Sequence, residues 1–294
     1  MRVVSLLPAA TEWLFAFGLG DGLVGRSHAC TFPPEAAALP AVTDVVEENG
    51  RPRVALDADA LRALHPDLVV IQTTCAVCAV PPETIGAVLN GWPERRPAVF
   101  DFAPSTFKQT LDAALALARV AGCLPDAFPV VAGIEERLRA LHRRLGYDRR
   151  TGTVDGAAPP SVVCIEWPAP LFLAAHWVPD LIEHAGGRPL GPAAGERSPA
   201  ATWGDVRALD PDVLVLASCG RSTEEAMEDL AALVAQPGWS ELRAVREGQA
   251  FALDGRITSG PGPRLVRAAE VLAAALHPER AGVWLPPEEL RRVP

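Results

Sequence analysis

The sequence has no basic patch and no long apolar run. Its 294 residues include 27 Lys and Arg against 36 Asp and Glu, which gives a net charge of −9 at pH 7. Because nucleic-acid binding needs a basic face, this charge argues against a nucleic-acid partner. No stretch approaches the roughly 18 apolar residues that can span a bilayer, so we expect no membrane insertion.

The sequence also shows no secretory signal. The apolar stretch within Met1 to Pro8 is short, is interrupted by Ser5 and has no cleavage site, so it predicts a first strand instead. If Met1 is the native start, we expect a cytoplasmic protein; if a leader has been removed, a periplasmic or extracellular one. Reduced thiols are typical of the cytosol, so we expect no disulfide framework. The six cysteines are Cys30, Cys75, Cys78, Cys123, Cys164 and Cys219.

Two pairs of segments repeat in the same order along the chain. Arg62 to Val70 is echoed by Arg207 to Val215, each with a Leu-x-Pro-Asp turn followed by a β-branched run that predicts a buried strand. Val3 to Leu6 is likewise echoed by Val162 to Ile165. We infer two related α/β lobes whose strand ends face a shared cleft. The alternative is that Leu-x-Pro-Asp is only a common helix-to-strand connection.

A long amphipathic helix is predicted between the two repeats. It begins at Asp126, is about 20 residues and therefore about 30 Å long, and suits a stiff strut. Asp44 to Arg53 and Gly146 to Pro160 are predicted to be exposed loops. These boundaries predict an N-terminal lobe over residues 1–104, connecting helices over 105–146 and a C-terminal lobe over 147–294.

Several motifs together resemble the periplasmic-binding-protein family with a helical backbone, the substrate-binding proteins of cobalamin, haem and siderophore ABC importers. They are Val4-Ser5-Leu6-Leu7-Pro8-Ala9-Ala10-Thr11-Glu12, the segment from Gly18 to Gly25, Leu64-x-Pro66-Asp67-Leu68-Val69, and Gly255 through the final helix. The resemblance implies a class III fold. In that fold, two lobes, each with a central and mostly parallel sheet flanked by helices, are joined by a long backbone helix.

Within that family the chain most resembles a leaderless branch labelled cobalamin-binding. The shared motifs are Cys75-x-x-Cys78, Cys164-x-Glu166-Trp167 and His176-Trp177. The resemblance implies a binding protein without enzymatic turnover, with cobalamin or a related corrinoid as its ligand.

Importer-type members of the family use one carboxylate on each lobe to dock onto arginines of an ABC permease. Aligning the two Leu-x-Pro-Asp segments places Asp59 and Gly204 at these positions, with Asp205 beside the glycine. The expected docking pair is therefore incomplete, which weakens the case for a permease partner.

A flat corrinoid or tetrapyrrole could lie between the lobes. Trp167 and Trp177 would then supply apolar faces, while Glu166 or Gln72 would bond the amide rim. Both tryptophans could instead be ordinary packing residues. The remaining ligand-binding candidates are His28 and His176 near strand ends, and Arg264, which opens the last helix and could face an anion.

The thiols offer a second hypothesis, a soft metal such as zinc or copper, or the cobalt of a corrinoid. Cys75 and Cys78 form half of a zinc site, which needs two further ligands. His176 is one candidate, and three thiols are others: Cys30, Cys164 and Cys219. Free cysteine is also common as a small buried apolar residue. The alternative function is therefore a cytosolic, thiol-rich carrier or sensor of metal, haem or another tetrapyrrole.

A third hypothesis is catalysis by Cys164 with His176 as base and Glu166 as orienting group. Nothing in the spacing selects this arrangement, and no oxyanion-hole motif accompanies it. We therefore expect binding and not enzymatic turnover.

Overall fold

The computed structural model describes residues 1–48, 51–73, 79–92 and 95–293. Its chain contacts divide it into two compact units. Unit 1 comprises residues 1–104 and 108–133, and unit 2 comprises residues 105–107 and 134–294. Among the helices described, none combines the length and apolar character needed to cross a membrane.

Unit 1 is built on a four-stranded sheet in which all neighbouring strands are parallel. The strands of this unit are β1 (Val3–Ser5), β2 (Leu23–Arg26), β3 (Thr43–Glu48), β4 (Arg51–Leu56), β5 (Leu68–Ile71) and β6 (Ala98–Asp101), and its first helices are α1 (Pro8–Ala16), α2 (Ala58–Ala63) and α3 (Pro82–Asn90). The sheet order is β2-β1-β5-β6. The central strands β1 and β5 are buried on both faces, as expected of parallel strands covered by helices.

The segment from Asp44 to Arg53 is not the loop that the sequence predicts. It lies within an antiparallel hairpin in which β3 pairs with β4 from Thr43↔Leu56 to Glu48↔Arg51. Val45 and Val46 are exposed on this hairpin. A strand with one buried face is recognised in a sequence by alternating apolar and polar residues. This two-stranded ribbon carries many charged residues and lacks that alternation.

Two consecutive helices follow, α4 (Phe107–Ala121) and α5 (Leu124–Leu145). The predicted long helix is therefore confirmed, although it begins two residues before Asp126 and includes Pro129 in its second turn. With 22 residues it is about 33 Å long. Its residues up to Gly133 belong to unit 1 and those from Ile134 to unit 2.

Unit 2 is built on a six-stranded mixed sheet. The remaining strands are β7 (Tyr147–Asp148), β8 (Thr153–Val154), β9 (Ser161–Pro168), β10 (Leu171–Leu173), β11 (Arg188–Pro189), β12 (Val213–Leu216), β13 (Ala250–Leu253) and β14 (Leu290–Arg292), and the remaining helices are α6 (Val178–His184), α7 (Trp203–Leu209), α8 (Thr223–Asp229), α9 (Ala231–Val234), α10 (Arg243–Arg246) and α11 (Leu265–Leu276). Strands β7 and β8 form a small hairpin inside the segment that the sequence predicts to be a loop.

The two repeated segments form the same structure in both units. Strand β1 pairs with β5 through Val3↔Leu68, and β9 pairs with β12 through Val162↔Val213 at the equivalent register. The aspartate of each Pro-Asp turn also makes the same bond. The Asp67 carboxylate accepts the backbone N–H of Arg2 at 2.8 Å, and the Asp212 carboxylate accepts that of Ser161 at 2.8 Å.

The parallel part of each sheet also has the same order. The strands β11-β9-β12-β13 of unit 2 correspond to β2-β1-β5-β6 of unit 1. Antiparallel strands β10 and β14 are additions at the sides of the second sheet. The carboxyl ends of three neighbouring parallel strands therefore meet at one edge in each unit, where open α/β sheets bind their ligands.

Candidate functional site

In unit 2, polar groups gather where β9, β12 and β13 end. We call Glu166, Ser198, Cys219 and Ser259 the unit 2 rim. Hydrogen bonds join Glu166 to Ser198 and to Cys219, and Ser259 bonds the residue after Cys219. The Ser198 hydroxyl donates to the Glu166 carboxylate, and the backbone N–H of Cys219 donates to the Glu166 carbonyl at 3.1 Å. The next backbone N–H, of Gly220, donates to Ser259 Oγ at 2.6 Å.

The backbone of the rim is packed closely. A Cβ atom placed on Gly255 would lie 1.8 Å from the carbonyl oxygen of Ser218, so this approach of two chain segments requires glycine. The Ser218 side chain is fully buried, and its Oγ atom has no hydrogen-bond partner among the described residues.

Glu166 is the rim's anionic group and is half-buried. Within the described part of the chain, Ser198 is the hydrogen-bond donor to this carboxylate. A carboxylate offers about four acceptor positions. The remaining acceptor capacity suits a ligand that presents N–H or O–H donors.

Cys164 precedes the rim on β9 and is 5% exposed. Burial raises the pKa of its thiol to about 12, and the nearby Glu166 carboxylate acts in the same direction. Nucleophilic and metal-binding cysteines need the opposite, a thiolate stabilised by positive charge or metal. This environment gives no support to the catalytic arrangement of Cys164, His176 and Glu166.

The two tryptophans proposed as ligand faces occupy different environments. Trp177 is 7% exposed, and its Nε1–H donates to the Thr258 carbonyl at 2.7 Å, so its ring is part of the interior of unit 2. Trp167 is half-buried, and its Nε1–H donates to the Ala169 carbonyl at 3.1 Å. Trp167 therefore has more exposed surface that a ligand could contact than Trp177 has.

His176 and Arg264 are also near the ends of the unit 2 elements. The His176 ring packs against Trp177 with centroids 5.5 Å apart, and its buried Nδ1 atom has no hydrogen-bond partner in the described ranges. Its φ of +53° places it in the left-handed region, which suits a sharp change of direction before α6. Arg264 is half-buried at the first turn of α11.

Three predicted residues follow strands of unit 1. His28 comes after β2 and is half-buried, and its Nδ1 lies 2.9 Å from Thr43 Oγ1. Cys30 is fully buried and accepts a hydrogen bond from the Thr11 hydroxyl at 3.1 Å. Burial raises the pKa of this thiol to about 11. Gln72, which follows β5, is half-buried.

The predicted thiol metal site is not assembled by the residues that the structure describes. Among them, no group of three or more His, Cys, Asp or Glu side chains is placed to hold a metal ion. Cys30 and Cys164 are buried in different units, and Cys219 is half-buried on the unit 2 rim. Cys75 and Cys78 lie outside the described residues.

The two positions expected to dock a permease differ in their surroundings. The Asp59 side chain is 95% exposed and pairs with Arg62 at 3.0 Å. Gly204 has no side chain, and the adjacent Asp205 caps α7, because its carboxylate accepts both the N–H and the hydroxyl of Thr202. A docking role for either position stays a proposal.

Two residues of these sites were missed from the sequence. Ser198 bonds Glu166 from a proline-rich loop more than 30 residues further along the chain, and Thr43 holds the His28 ring from the start of β3. Neither residue belongs to a local motif. Only the pairing of the surrounding strands places them beside their partners.

Comparison with known proteins agrees with this fold. The family model described as periplasmic binding protein matches residues 3–257. The uncharacterised ABC transporter substrate-binding lipoprotein YvrC of Bacillus subtilis is 21% identical over 284 residues, which cover 95% of this chain and 80% of that protein. A vitamin B12-binding protein of Vibrio parahaemolyticus is 38% identical over 69 residues, 24% of this chain and 22% of that protein.

A periplasmic haem-binding protein of Pseudomonas aeruginosa has the same fold, with a TM-score of 0.75 and 24% identity over 99% of this chain and 97% of that one. The predicted α/β fold, with a sheet-centred lobe in each half of the chain and a long helix that contributes to both, is therefore confirmed. The family match covers most of the sequence. The chain belongs to the periplasmic binding protein family.

Proposed function

We propose that this protein is a solute-binding protein of the ABC-importer type whose ligand is a corrinoid such as cobalamin. Family membership supports the general role of solute binding. The observation that carries the choice of ligand is the Glu166 carboxylate, half-buried on the unit 2 rim with Ser198 as its donor.

The charge of Glu166 distinguishes two flat macrocycles of similar size. The edge of a corrin carries neutral amide side chains, whose N–H groups are donors to a carboxylate. The edge of haem carries two propionate carboxylates, which a half-buried carboxylate repels because like charges facing each other in a binding site are unfavourable. Glu166 therefore favours the amide-bearing ligand.

The comparisons support both macrocycles as candidates. A stretch of this chain is similar to vitamin B12-binding proteins, including one from Vibrio parahaemolyticus. The structure from Pseudomonas aeruginosa is of a protein that binds haem, and this favours haem as the second candidate. The charge of Glu166 supports our choice of the corrinoid over haem.

A titration with both ligands tests the proposal. Purified protein is titrated with cyanocobalamin and, separately, with haemin, and binding is followed by tryptophan fluorescence and visible absorbance. Replacing Glu166 by alanine removes a charged acceptor, so we expect about tenfold weaker cobalamin binding. The same E166A change should leave haemin binding unchanged or strengthen it. Glu247, an exposed carboxylate after α10, provides the control E247A.

Two results would overturn the proposal. One is haemin binding with no measurable cobalamin binding, which would make haem the ligand. The other is copurification of stoichiometric zinc or copper that is lost in the C75S/C78S double variant, measured by elemental mass spectrometry. That result would establish the thiol-rich metal carrier instead.

A further inference from the structure

The regular pairing of β9 is interrupted at Glu166. Phe172 of β10 pairs with Trp167, and the next residue, Leu173, pairs with Ile165. Glu166 is therefore an extra residue with no partner on β10, and the pairing of β9 with β12 also ends before it, at Ile165. A β-bulge of this kind re-aims the side chain of the extra residue. Regular strand pairing thus does not set the direction of the Glu166 side chain.

The backbone of Glu166 is nevertheless held on the β12 side. Its carbonyl accepts the backbone N–H of Cys219 at 3.1 Å. This bond fixes the main chain and leaves the side chain free to rotate about several bonds. Because ordering a glutamate side chain costs conformational entropy, a further contact is needed to hold the carboxylate in one place.

The chain around Ser198 is attached to the other edge of β10. The N–H of Leu173 donates to the Pro199 carbonyl at 3.1 Å, and the N–H of Ala201 donates to the Leu171 carbonyl at 2.9 Å. Ser198 directly precedes this bonded segment. The same short strand therefore places both the bulge on β9 and the serine.

Ser198 supplies the contact that the carboxylate needs. Its hydroxyl donates to Glu166 Oε2, and both side chains are half-buried. Within the described residues, no other side chain bonds this carboxylate, so Oε1 is the oxygen left for a ligand. One available oxygen suits a single amide N–H better than a guanidinium, whose paired donors engage both oxygens of a carboxylate.

We propose that Ser198 is a positioning residue for ligand binding: it holds Glu166 by Oε2, and Oε1 then accepts an amide N–H from the edge of the corrin. This inference rests on the proposed corrinoid function. A carboxylate that is already oriented loses less conformational freedom when the ligand binds, so the ligand binds more tightly. The role requires no contact between Ser198 and the ligand, and both residues lie in unit 2.

Titration of serine variants with cyanocobalamin tests this role. Without the hydroxyl, S198A should bind about threefold more weakly, because the carboxylate must be ordered as the ligand binds. S198T keeps the hydroxyl and should bind like the wild type. Threonine suits this position because the residue before a proline is extended, and extended backbone accommodates β-branched side chains.

A double-mutant cycle separates positioning from a structural role. If Ser198 acts through Glu166, adding S198A to E166A should weaken binding no further than E166A alone. A merely structural role would give the same loss in both backgrounds. The control S240A removes the hydroxyl of an exposed serine between α9 and α10, and it should bind cyanocobalamin like the wild type.

The outcomes distinguish this inference from the proposed function. If the wild type and S198A bind cyanocobalamin equally, positioning by Ser198 is overturned while corrinoid binding stands. Equal losses from S198A with and without Glu166 would overturn it in the same way, and so would S198T binding as weakly as S198A. If the wild type fails to bind cyanocobalamin, the proposed function and this inference are overturned together.

Discussion

A pair of histidines in unit 2 predicts that the protein loses stability in mild acid. His142 on α5 and His184 on α6 lie with Nε2 and Nδ1 3.3 Å apart and with ring centroids 5.3 Å apart. The Phe107 ring packs edge-on against His184. Burial lowers the pKa of His184 to about 4, and the charges of His142 and Arg149 lower it in the same direction.

The direction of the effect follows from proton linkage. In the unfolded chain His184 titrates near its ordinary pKa of about 6.5, so between pH 6.5 and 4 the unfolded state binds more protons. Its contribution to stability is complete above pH 6.5 and is lost as the pH falls toward 4. From pH 7.5 to pH 5 this one residue lowers the free energy of unfolding by about 2 kcal/mol.

Two neighbouring carboxyl groups change the stability in the opposite direction. Burial raises the pKa of Asp180 and of Glu183. A raised folded-state pKa contributes stability that is complete in acid and lost as the pH rises, opposite to the histidine effect. Both carboxyl groups are present in the wild type and in H184Q, so comparison of the two proteins isolates the histidine effect.

Urea unfolding at pH 7.5, 6.5 and 5, followed by tryptophan fluorescence, measures the effect. Five of the seven tryptophans lie in unit 2, so the signal reports mainly on the unit that contains the pair. In H184Q the loss between pH 7.5 and 5 should be smaller than in the wild type, by about 2 kcal/mol. It should not vanish, because burial also lowers the pKa of His142 and His277. Equal losses in wild type and H184Q would refute the reasoning.

Two further predictions concern buried side chains. Burial raises the pKa of Cys30 and Cys164, so we expect both thiols of the native protein to resist iodoacetamide at pH 8. Half-buried Cys219 should react faster, and peptide mapping by mass spectrometry measures the three rates. Faster reaction of Cys30 or Cys164 than of Cys219 would contradict control of reactivity by burial. W177F should lower the free energy of unfolding by about 1–2 kcal/mol, because Thr258 loses its donor. W284F, at a side chain 76% exposed, should change it by less than about 0.5 kcal/mol, and equal effects would contradict the assignment.

The repeated Leu-x-Pro-Asp segments made the sheets predictable from sequence. The Pro-Asp carboxylate anchors the chain at the start of β1 and of β9, so the same residues recur where the same bond is needed. The long helix predicted from Asp126 was also found, as α5 (Leu124–Leu145). Apolar periodicity and terminal signals lie within one segment and can therefore be read from it.

The elements that were missed depend on contacts distant in sequence. Strand β10 is three residues long and exists because it pairs with the end of β9 through Leu171↔Pro168. The β3–β4 hairpin contains Pro52, which argues against a strand in a local reading, yet proline is tolerated in a two-stranded ribbon. Ser198 and Thr43 were missed for the same reason, since each acts on a residue far from it in the chain.

The duplicated frame explains why the two units can carry different chemistry at equivalent places. Leu7, just after β1, and Glu166, on β9, occupy equivalent positions in the two sheets. At this position, the acidic acceptor is therefore present in unit 2 and not in unit 1. The loop after β2 carries His28, and the loop after the equivalent strand β11 carries Ser198, the donor to Glu166. Strand pairing holds both frames in register whatever these end residues are, so the end residues can differ between the units without disturbing the sheets. On this argument, exchanging Glu166 should alter binding far more than stability, whereas exchanging Asp67 or Asp212 should do the reverse.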